Sequence, residues 1–428
     1  MIRHNTCRTA FAESHAGMMK AGSTSGIVAA PILATLFVFA GVLKGVAAVS
    51  SALPWDLTIL LGTMTVVSLM LRALVQGRFT PVHPCLPDLW MMGFAACVLL
   101  GCWYTPASLS LSLGKAARFA GPGVMASYLL PRIISAFGGA QRTTRVSLMT
   151  LLAVGAILSV YTFLHSPGLT FARSPGGSYL SWGYLLGGAL LATIGALAWS
   201  RLKIQRMLLL IIVALLCGAL VYARGRGPIL ALAGVAAIWC VAAHWIRVRT
   251  RVIVALSGLA LIGIMLSTMP SDMQLRYTRL LTGDVDGSIQ SRVDAYRTAW
   301  LMFLQSPLLG KGTASFRTVH ERFEYPHSIL LETLAEQGLV GGLTLLGVVA
   351  TTLVRLRRSL QLARGPDRVV LATAGSLFLF MLIGSMFSGD ITSRSLWFSA
   401  GITVMCTEAI RRSRVLMPDT TTEGKIRS

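Results

Sequence analysis

RLKIQRMLLLIIVALLCGALVYARGRGPILALAGVAAIWCVAAHWIRVR, residues 201–249, decides the fold. It holds two apolar runs, 206–222 and 228–246, joined by a short turn. Each run is close to the roughly 20 mostly apolar residues that a helix needs to cross a bilayer. Arg201, Lys203 and Arg206 border the first run, and Arg247, Arg249 and Arg251 follow the second. Cations gather in cytoplasmic loops, so both outer ends of this helical hairpin read as cytoplasmic. The runs are continuous rather than alternating, which excludes a β-barrel.

The same reading extends in both directions. Further spans are expected at 26–49, 55–75, 86–103, 112–131, 145–164, 179–199, 251–269, 327–354, 369–388 and 395–411. The fourth, 112–131, is the least regular, because it contains Lys115, Arg118, Pro122 and several glycines. With the N-terminus inside, every segment placed in the cytoplasm is basic, including Arg132, Arg142 and Arg145 and the run from Arg355 to Arg368. The short outer loops 50–54 and 104–111 carry no Lys or Arg. A miscounted span would break this alternation, so about 12 transmembrane helices with both ends inside are expected. The chain divides into a cytoplasmic tail 1–25, helices one to nine over 26–269, an outer loop 270–326, helices ten to twelve over 327–411, and a cytoplasmic tail 412–428. Residues 1–25 lack the apolar core of a signal peptide.

Composition agrees. Of 428 residues, 54% are hydrophobic and only 13% charged, with mean hydropathy +0.69. Soluble domains carry about a quarter charged residues. The net charge of +22 is then a product of cytoplasmic loops rather than a nucleic-acid footprint. Seven cysteines form no C-x-x-C pair, so neither a zinc site nor a disulfide framework is expected.

Positive charge on the outer side is the exception that carries chemistry. Arg224 and Arg226 lie in the turn YARGRGPIL (222–230), and Arg292 lies in the outer loop with Arg276, Arg279, Arg297, Lys311, Arg317 and Arg322. Arg173 and Arg394 stand alone. The turn arginines read either as a functional pair or as headgroup anchors that snorkel. In the loop, Asp272 is expected to cap a first helix ending near Gly283. Ser288 or Ser291 caps a second, whose face is Arg292, Tyr296, Ala299 and Phe303, and SPLLGKG (306–312) ends it.

EYPHSILLETLAEQGLVGG (324–342) is the strongest local signal. His327 is expected at the start of span ten, with Pro326 in its first turn. The helix dipole there disfavours an imidazolium, so the ring is neutral and able to accept a proton. An interfacial histidine bonded to a carbonyl is the alternative. Glu332 and Glu336 are deeper in the same helix. Glu336 is about 180° round the helix from His327 and reads as structural. Gly338, Gly341 and Gly342 are expected to form a small-residue face for a neighbouring helix. Asp390 is expected to pair with Arg394. Asp284 and Asp286 read as turn chemistry, so no metal or cofactor is expected. Arginines that clamp a diphosphate bidentately, beside a neutral histidine, suit transfer from a lipid-linked diphosphate. The expected site is catalytic His327 with Arg224, Arg226 and Arg292 on the pyrophosphate. Lys115, Arg118, Glu324 and Arg394 are accessory.

The ordered motifs R-G-P-x-L-A-L (226–232), S-R-x-x-x-Y-R-x-A-W (291–300), S-P-L-L-G-K-G (306–312) and H-S-x-x-L-x-x-x-x-E-x-G (327–338) resemble the O-antigen ligase and polymerase superfamily. The resemblance covers about 225–345 by motif and the remainder by topology. It implies a GT-C-like, all-α glycosyltransferase in the inner membrane of a Gram-negative bacterium, with a large, partly helical periplasmic loop between spans 9 and 10. It implies metal-independent transfer of a glycan from undecaprenyl diphosphate to lipid A-core oligosaccharide, with inversion. Arg226, Arg292 and His327 match the family's functional positions, whereas Arg224 is included on proximity. A polymerase of the same superfamily is the alternative. A protein O-oligosaccharyltransferase is disfavoured by the short tail after span twelve. A lipid-linked glycan transporter or flippase is disfavoured because charge gathers at one face and the halves do not correspond.

Overall fold

The computed structural model describes residues 26–44, 56–76, 84–165, 179–223, 225–242, 263 and 287–416. These residues are helical throughout, with no strand among them. The helices are α1 (Gly26–Leu43), α2 (Leu57–Gln76), α3 (Leu86–Tyr104), α4 (Leu109–Arg118), a π-helical stretch (Phe119–Leu129), α5 (Leu130–Gly138), α6 (Ala140–His165), α7 (Tyr179–Trp199), α8 (Lys203–Tyr222), α9 (Arg226–Ala242), α10 (Gly287–Gln305), α11 (Phe316–Val319), α12 (Ile329–Leu362), α13 (Gly365–Ser388) and α14 (Arg394–Leu416). Seven of the described helices are long and apolar enough to cross a membrane: α2, α3, α6, α7, α8, α12 and α13. Two shorter apolar helices, Val28–Leu43 and Arg226–Val241, accompany them. The chain is a polytopic helical membrane protein. The ninth expected span, 251–269, lies outside the described residues apart from Gly263, as do Arg173, Asp272, Gly283, Asp284 and Asp286.

The irregularity expected near 112–131 takes a specific form. Residues 109–138 run as one helical rod whose middle is wound as a π-helix. Pro122 sits in that middle and has no N–H to donate. The Ser127 hydroxyl donates to Pro122 O at 2.6 Å. Gly401 lets α14 press onto this stretch, since a Cβ there would lie 2.3 Å from Tyr128 O.

Side-chain contacts orient the bundle. The phenol of Tyr104, at the end of α3, donates to Leu309 O at 2.6 Å. Arg394, at the start of α14, donates to Phe37 O in α1 at 3.0 Å. Lys44 and Asp56 pair across the α1–α2 connection. One end of the bundle therefore holds Tyr104, Lys44, Ser388, Arg394 and the 306–328 segment. The other holds Asp88 at the start of α3, Arg132 in α5, Glu408 in α14, the end of α2 and the start of α6.

Helix α10 packs on α12. Its buried face is Ser291, Ala295, Ala299 and Met302, one residue round from the expected face. Arg292 and Tyr296 are half-buried at its edge. The smallest side chains take the closest approach, and the larger ones flank it. Ser288 and Ser291 lie inside α10, not at its cap, because the helix begins at Gly287.

Candidate active site

The site is built around a break in α12. Gly338 has φ 63 and ψ −159 inside the helix. In a continuous helix Leu339 N and Val340 N would donate to the carbonyls of Ala335 and Glu336. Here Leu339 N donates to Pro307 O at 2.8 Å and Val340 N to Leu308 O at 3.2 Å. The freed carbonyls accept instead from Lys311 N at 2.9 Å and Gly312 N at 2.8 Å. The segment 307–312 is thus threaded into the helix, and every exchanged backbone group is satisfied, as burial in a bilayer requires. This explains the glycines of S-P-L-L-G-K-G and E-x-G. Gly310 and Gly312 also have positive φ, and a Cβ at Gly338 would lie 2.4 Å from Leu308 O. Gly338 is therefore a hinge and not part of a helix-packing face. Gly341 and Gly342 meet Gln337 and Leu334 of their own bent helix.

Below the break lies a buried ion cluster. Lys115 Nζ is 2.6 Å from Glu332 and 2.7 Å from Glu336. Glu336 also accepts the amides of Ala314 at 3.0 Å and Phe316 at 3.4 Å. Glu332 accepts Ile391 N at 3.0 Å. The expected phosphate role of Lys115 is corrected by this geometry. Its ammonium is buried and answered by two carboxylates, which pin the 313–316 and 390–391 turns. Arg118 is exposed and lines a cavity of about 30 Å³ with Lys115, Arg317, Glu324, Tyr325 and Asp390.

His327 is set above this cluster. Helix α12 begins at Ile329 with Ser328 at its N-cap. His327 precedes the helix with φ 58, and Pro326 lies in the loop rather than in the first turn. A left-handed non-glycine backbone costs about 1–2 kcal/mol and is a form of strain that gathers at functional sites. Rings hold it in place. Phe316, His320 and Phe323 stack at 5.3 and 5.4 Å. Phe323 and Tyr325 each contact the His327 ring at 4.7 Å. His320 Nδ1 accepts Phe323 N at 3.1 Å and fixes the turn. Burial, then the guanidinium of Arg292, then His320 push the His327 pKa down to about 4. The ring is neutral, as expected, although burial and charge are the main causes and the helix dipole is not required. Its Nδ1 is buried without a hydrogen-bond partner among the described residues.

Arg292 donates to Phe387 O at 3.2 Å, a carbonyl freed at the C-terminal turn of α13. Arg226 opens α9. The neighbouring Gly227 is pressed against the same place, since a Cβ there would lie 2.8 Å from Tyr184 Oη and 3.3 Å from Ser388 Oγ. Tyr184 donates to Gly384 O at 3.1 Å. The Ser388 hydroxyl is buried beside the Tyr184 phenol, with which it interacts. The backbone beside Arg226, the Arg292 head and the end of α13 therefore converge, with His327 within electrostatic reach of Arg292. Arg224 lies outside the described residues.

The accessory residues separate. Glu324 is exposed and pairs with Arg317 at 2.9 Å. Arg394 is held by Phe37, through its carbonyl at 3.0 Å and with its guanidinium 5.2 Å from the ring centre. It does not pair with Asp390, which accepts from Thr392 at 2.7 Å. Arg394 and Asp390 instead line a cavity of about 390 Å³, together with Tyr184, Tyr325 and Ser388. Tyr184, Tyr325, His320 and Ser388 were not singled out by sequence. Tyr325 stands two residues from His327 in E-Y-P-H, which is the one available cue; Tyr184 lies in an apolar run and carries none.

Arginines and a neutral histidine thus converge at one end of a helical membrane bundle. Residues 210–346, which include Arg226, Arg292 and His327, match the family model described as O-antigen ligase. No curated protein matches the chain.

Proposed function

We propose that the chain is an O-antigen ligase: a twelve-span, GT-C-like glycosyltransferase of the inner membrane, with its site at the periplasmic face. It moves a glycan from undecaprenyl diphosphate to a sugar hydroxyl of lipid A-core. The observation that carries this reading is the neutral, half-buried His327 within reach of Arg292, beside the start of α9. In the reaction the acceptor oxygen attacks the anomeric carbon, the bond from that carbon to the diphosphate oxygen breaks, and inversion follows. His327 takes the hydroxyl proton. Arg226 and Arg292 hold the departing diphosphate, which needs charge stabilisation rather than a proton.

An imidazole with a pKa near 4 is a weak base in the free enzyme. Burial is the first cause and Arg292 the second. A bound diphosphate answers the Arg292 charge, so donor binding raises the basicity of His327. The base is thereby strengthened only when the donor is present. The test is transfer of radiolabelled glycan from a lipid-linked donor to lipid A-core by purified protein in liposomes. Label appearing on the acceptor supports the ligase. Label appearing only in longer lipid-linked chains indicates a polymerase, and movement of the donor across the bilayer without transfer indicates a flippase.

A further inference from the structure

At the end of the bundle opposite His327, three arginines lack partners among the described residues. Arg72 sits one turn before the end of α2. It is only 9% exposed, and its Nη1 is buried with no hydrogen bond. Arg142 lies in the first turn of α6 and is close enough to Arg72 for their charges to repel. Thr143, beside it, is 2% exposed with an unpartnered hydroxyl, and Arg145 Nε is likewise buried and unpartnered. Among the described residues, no carboxylate answers any of these cations in an ion pair. An arginine at this depth ordinarily snorkels to the surface, but the buried Nη1 shows that Arg72 does not. A buried guanidinium facing a like charge is costly unless an anion sits between them. The start of α6 adds the positive end of a 26-residue helix, which favours an anion at the same place.

We propose that this end binds one phosphate group between α2 and the first turn of α6, with Arg72 and Arg142 as its cations. The ligand class is a phosphate ester of an anionic lipid headgroup or a free phosphate. The site is distinct from the His327 site, which the length of the bundle separates from it. It depends on the chain being a membrane protein and not on which glycan it transfers. Bound in this way, the phosphate ties α2, which is otherwise largely open to lipid, to the rest of the bundle.

The test uses purified full-length protein, stripped of lipid and titrated by native mass spectrometry with phosphatidylglycerol, with phosphatidylcholine of the same chains, and with inorganic phosphate. The wild type is expected to bind one phosphatidylglycerol at least about tenfold more tightly than Arg72→Gln does, a difference of about 1.4 kcal/mol. Phosphatidylcholine should show no such dependence. If inorganic phosphate displaces the lipid, and does so only with Arg72 present, the site takes a free anion; if it does not, the site reads the lipid headgroup. Equal phosphatidylglycerol affinity in wild type and variant overturns the proposal. A second readout guards against misfolding. Removing an unpaired buried charge should raise the melting temperature in phosphatidylcholine micelles, and phosphatidylglycerol should reverse that order. A variant less stable than wild type in both lipids to the same degree also overturns it. Arg142→Gln, an exposed change, should weaken phosphatidylglycerol several-fold without altering the fold, and an unchanged affinity there counts against the site.

Discussion

Asp88, at one end of the bundle, and His327, at the other, are both polar groups set among apolar helices, but their surroundings differ. Asp88 accepts from Arg132, from the Tyr128 phenol at 2.7 Å and from the Cys85 amide at 2.7 Å. Arg132 also reaches Glu408 at 3.1 Å, and Glu408 receives Arg412 at 2.9 Å. Around His327, Nδ1 is buried and unanswered among the described residues, and a cavity of about 390 Å³ opens beside Ser388. The difference teaches how to separate structural from functional polarity in a membrane bundle. A closed network holds helices together, whereas unanswered groups beside a cavity and a strained backbone await a ligand.

Breaking each cluster should therefore have opposite signatures. The largest effect is expected from His327→Ala, which should lower the transfer rate by about 10²–10⁴-fold, the usual cost of losing a general base. Donor binding and melting temperature should stay near wild type. Transfer within a few-fold of wild type, measured on purified protein, would remove His327 from the role of base. Arg132→Met should do the reverse. It leaves Asp88 buried without its main partner, at a cost of about 3–5 kcal/mol in stability. The protein that still folds should transfer glycan at close to the normal rate, as a thermal melt paired with an activity assay on the folded fraction can show.

Arg292→Ala comes next. Losing a charge-assisted hydrogen bond to phosphate should cost about 1.5–3 kcal/mol in transition-state stabilisation, and Arg292→Lys should rescue poorly because the bidentate fork is gone. This variant also sharpens the comparison, because Arg292 is the second cause of the low His327 pKa. In the wild type, transfer measured as kcat/KM should hold as pH falls to about 5 and decline below about 4, where the free enzyme protonates His327. The kcat limb should lie at higher pH, since the bound diphosphate answers Arg292. In Arg292→Ala the two limbs should approach one another. The sign for stability follows from the same shift. Between pH 6.5 and about 4 the unfolded chain takes up this proton and the folded chain does not, so the His327 contribution is lost as pH falls through that window. The smallest effect is expected from Glu324→Ala. An exposed ion pair with Arg317 is worth about 0–1 kcal/mol, and transfer should remain within a few-fold. A loss as large as that of His327→Ala would make Glu324 the base instead.

The helices were legible because apolar run length is a local property. Residues 201–249 read as two spans in sequence and fold as α8 and α9. The proposed site residues were also visible, Arg226 and Arg292 as charges in places where membrane insertion disfavours or does not require them, and His327 as a histidine at the mouth of an apolar run. What misled was every inference that assumed a regular helix. His327 was expected in the first turn of a helix that begins two residues later, and Gly338 in a packing face that is in fact a break. The break at Gly338 follows from the threading of 307–312 into α12, a pairing between segments about 30 residues apart that no periodicity within either can reveal.

Partnerships between distant side chains were invisible for the same reason. Lys115 looked free for a phosphate, and only the folded bundle brings Glu332 and Glu336 to it across more than 200 residues of chain. Arg394 looked destined for its neighbour Asp390 and is drawn instead to Phe37. By itself the sequence determined that the chain enters the membrane as many helices, and which few residues carry charge at their ends, because hydrophobic length and loop charge act locally. Which of those charges are answered and which are left open to a ligand was decided only by the tertiary structure, because burial makes a charge costly until a partner, however distant in sequence, is brought to it.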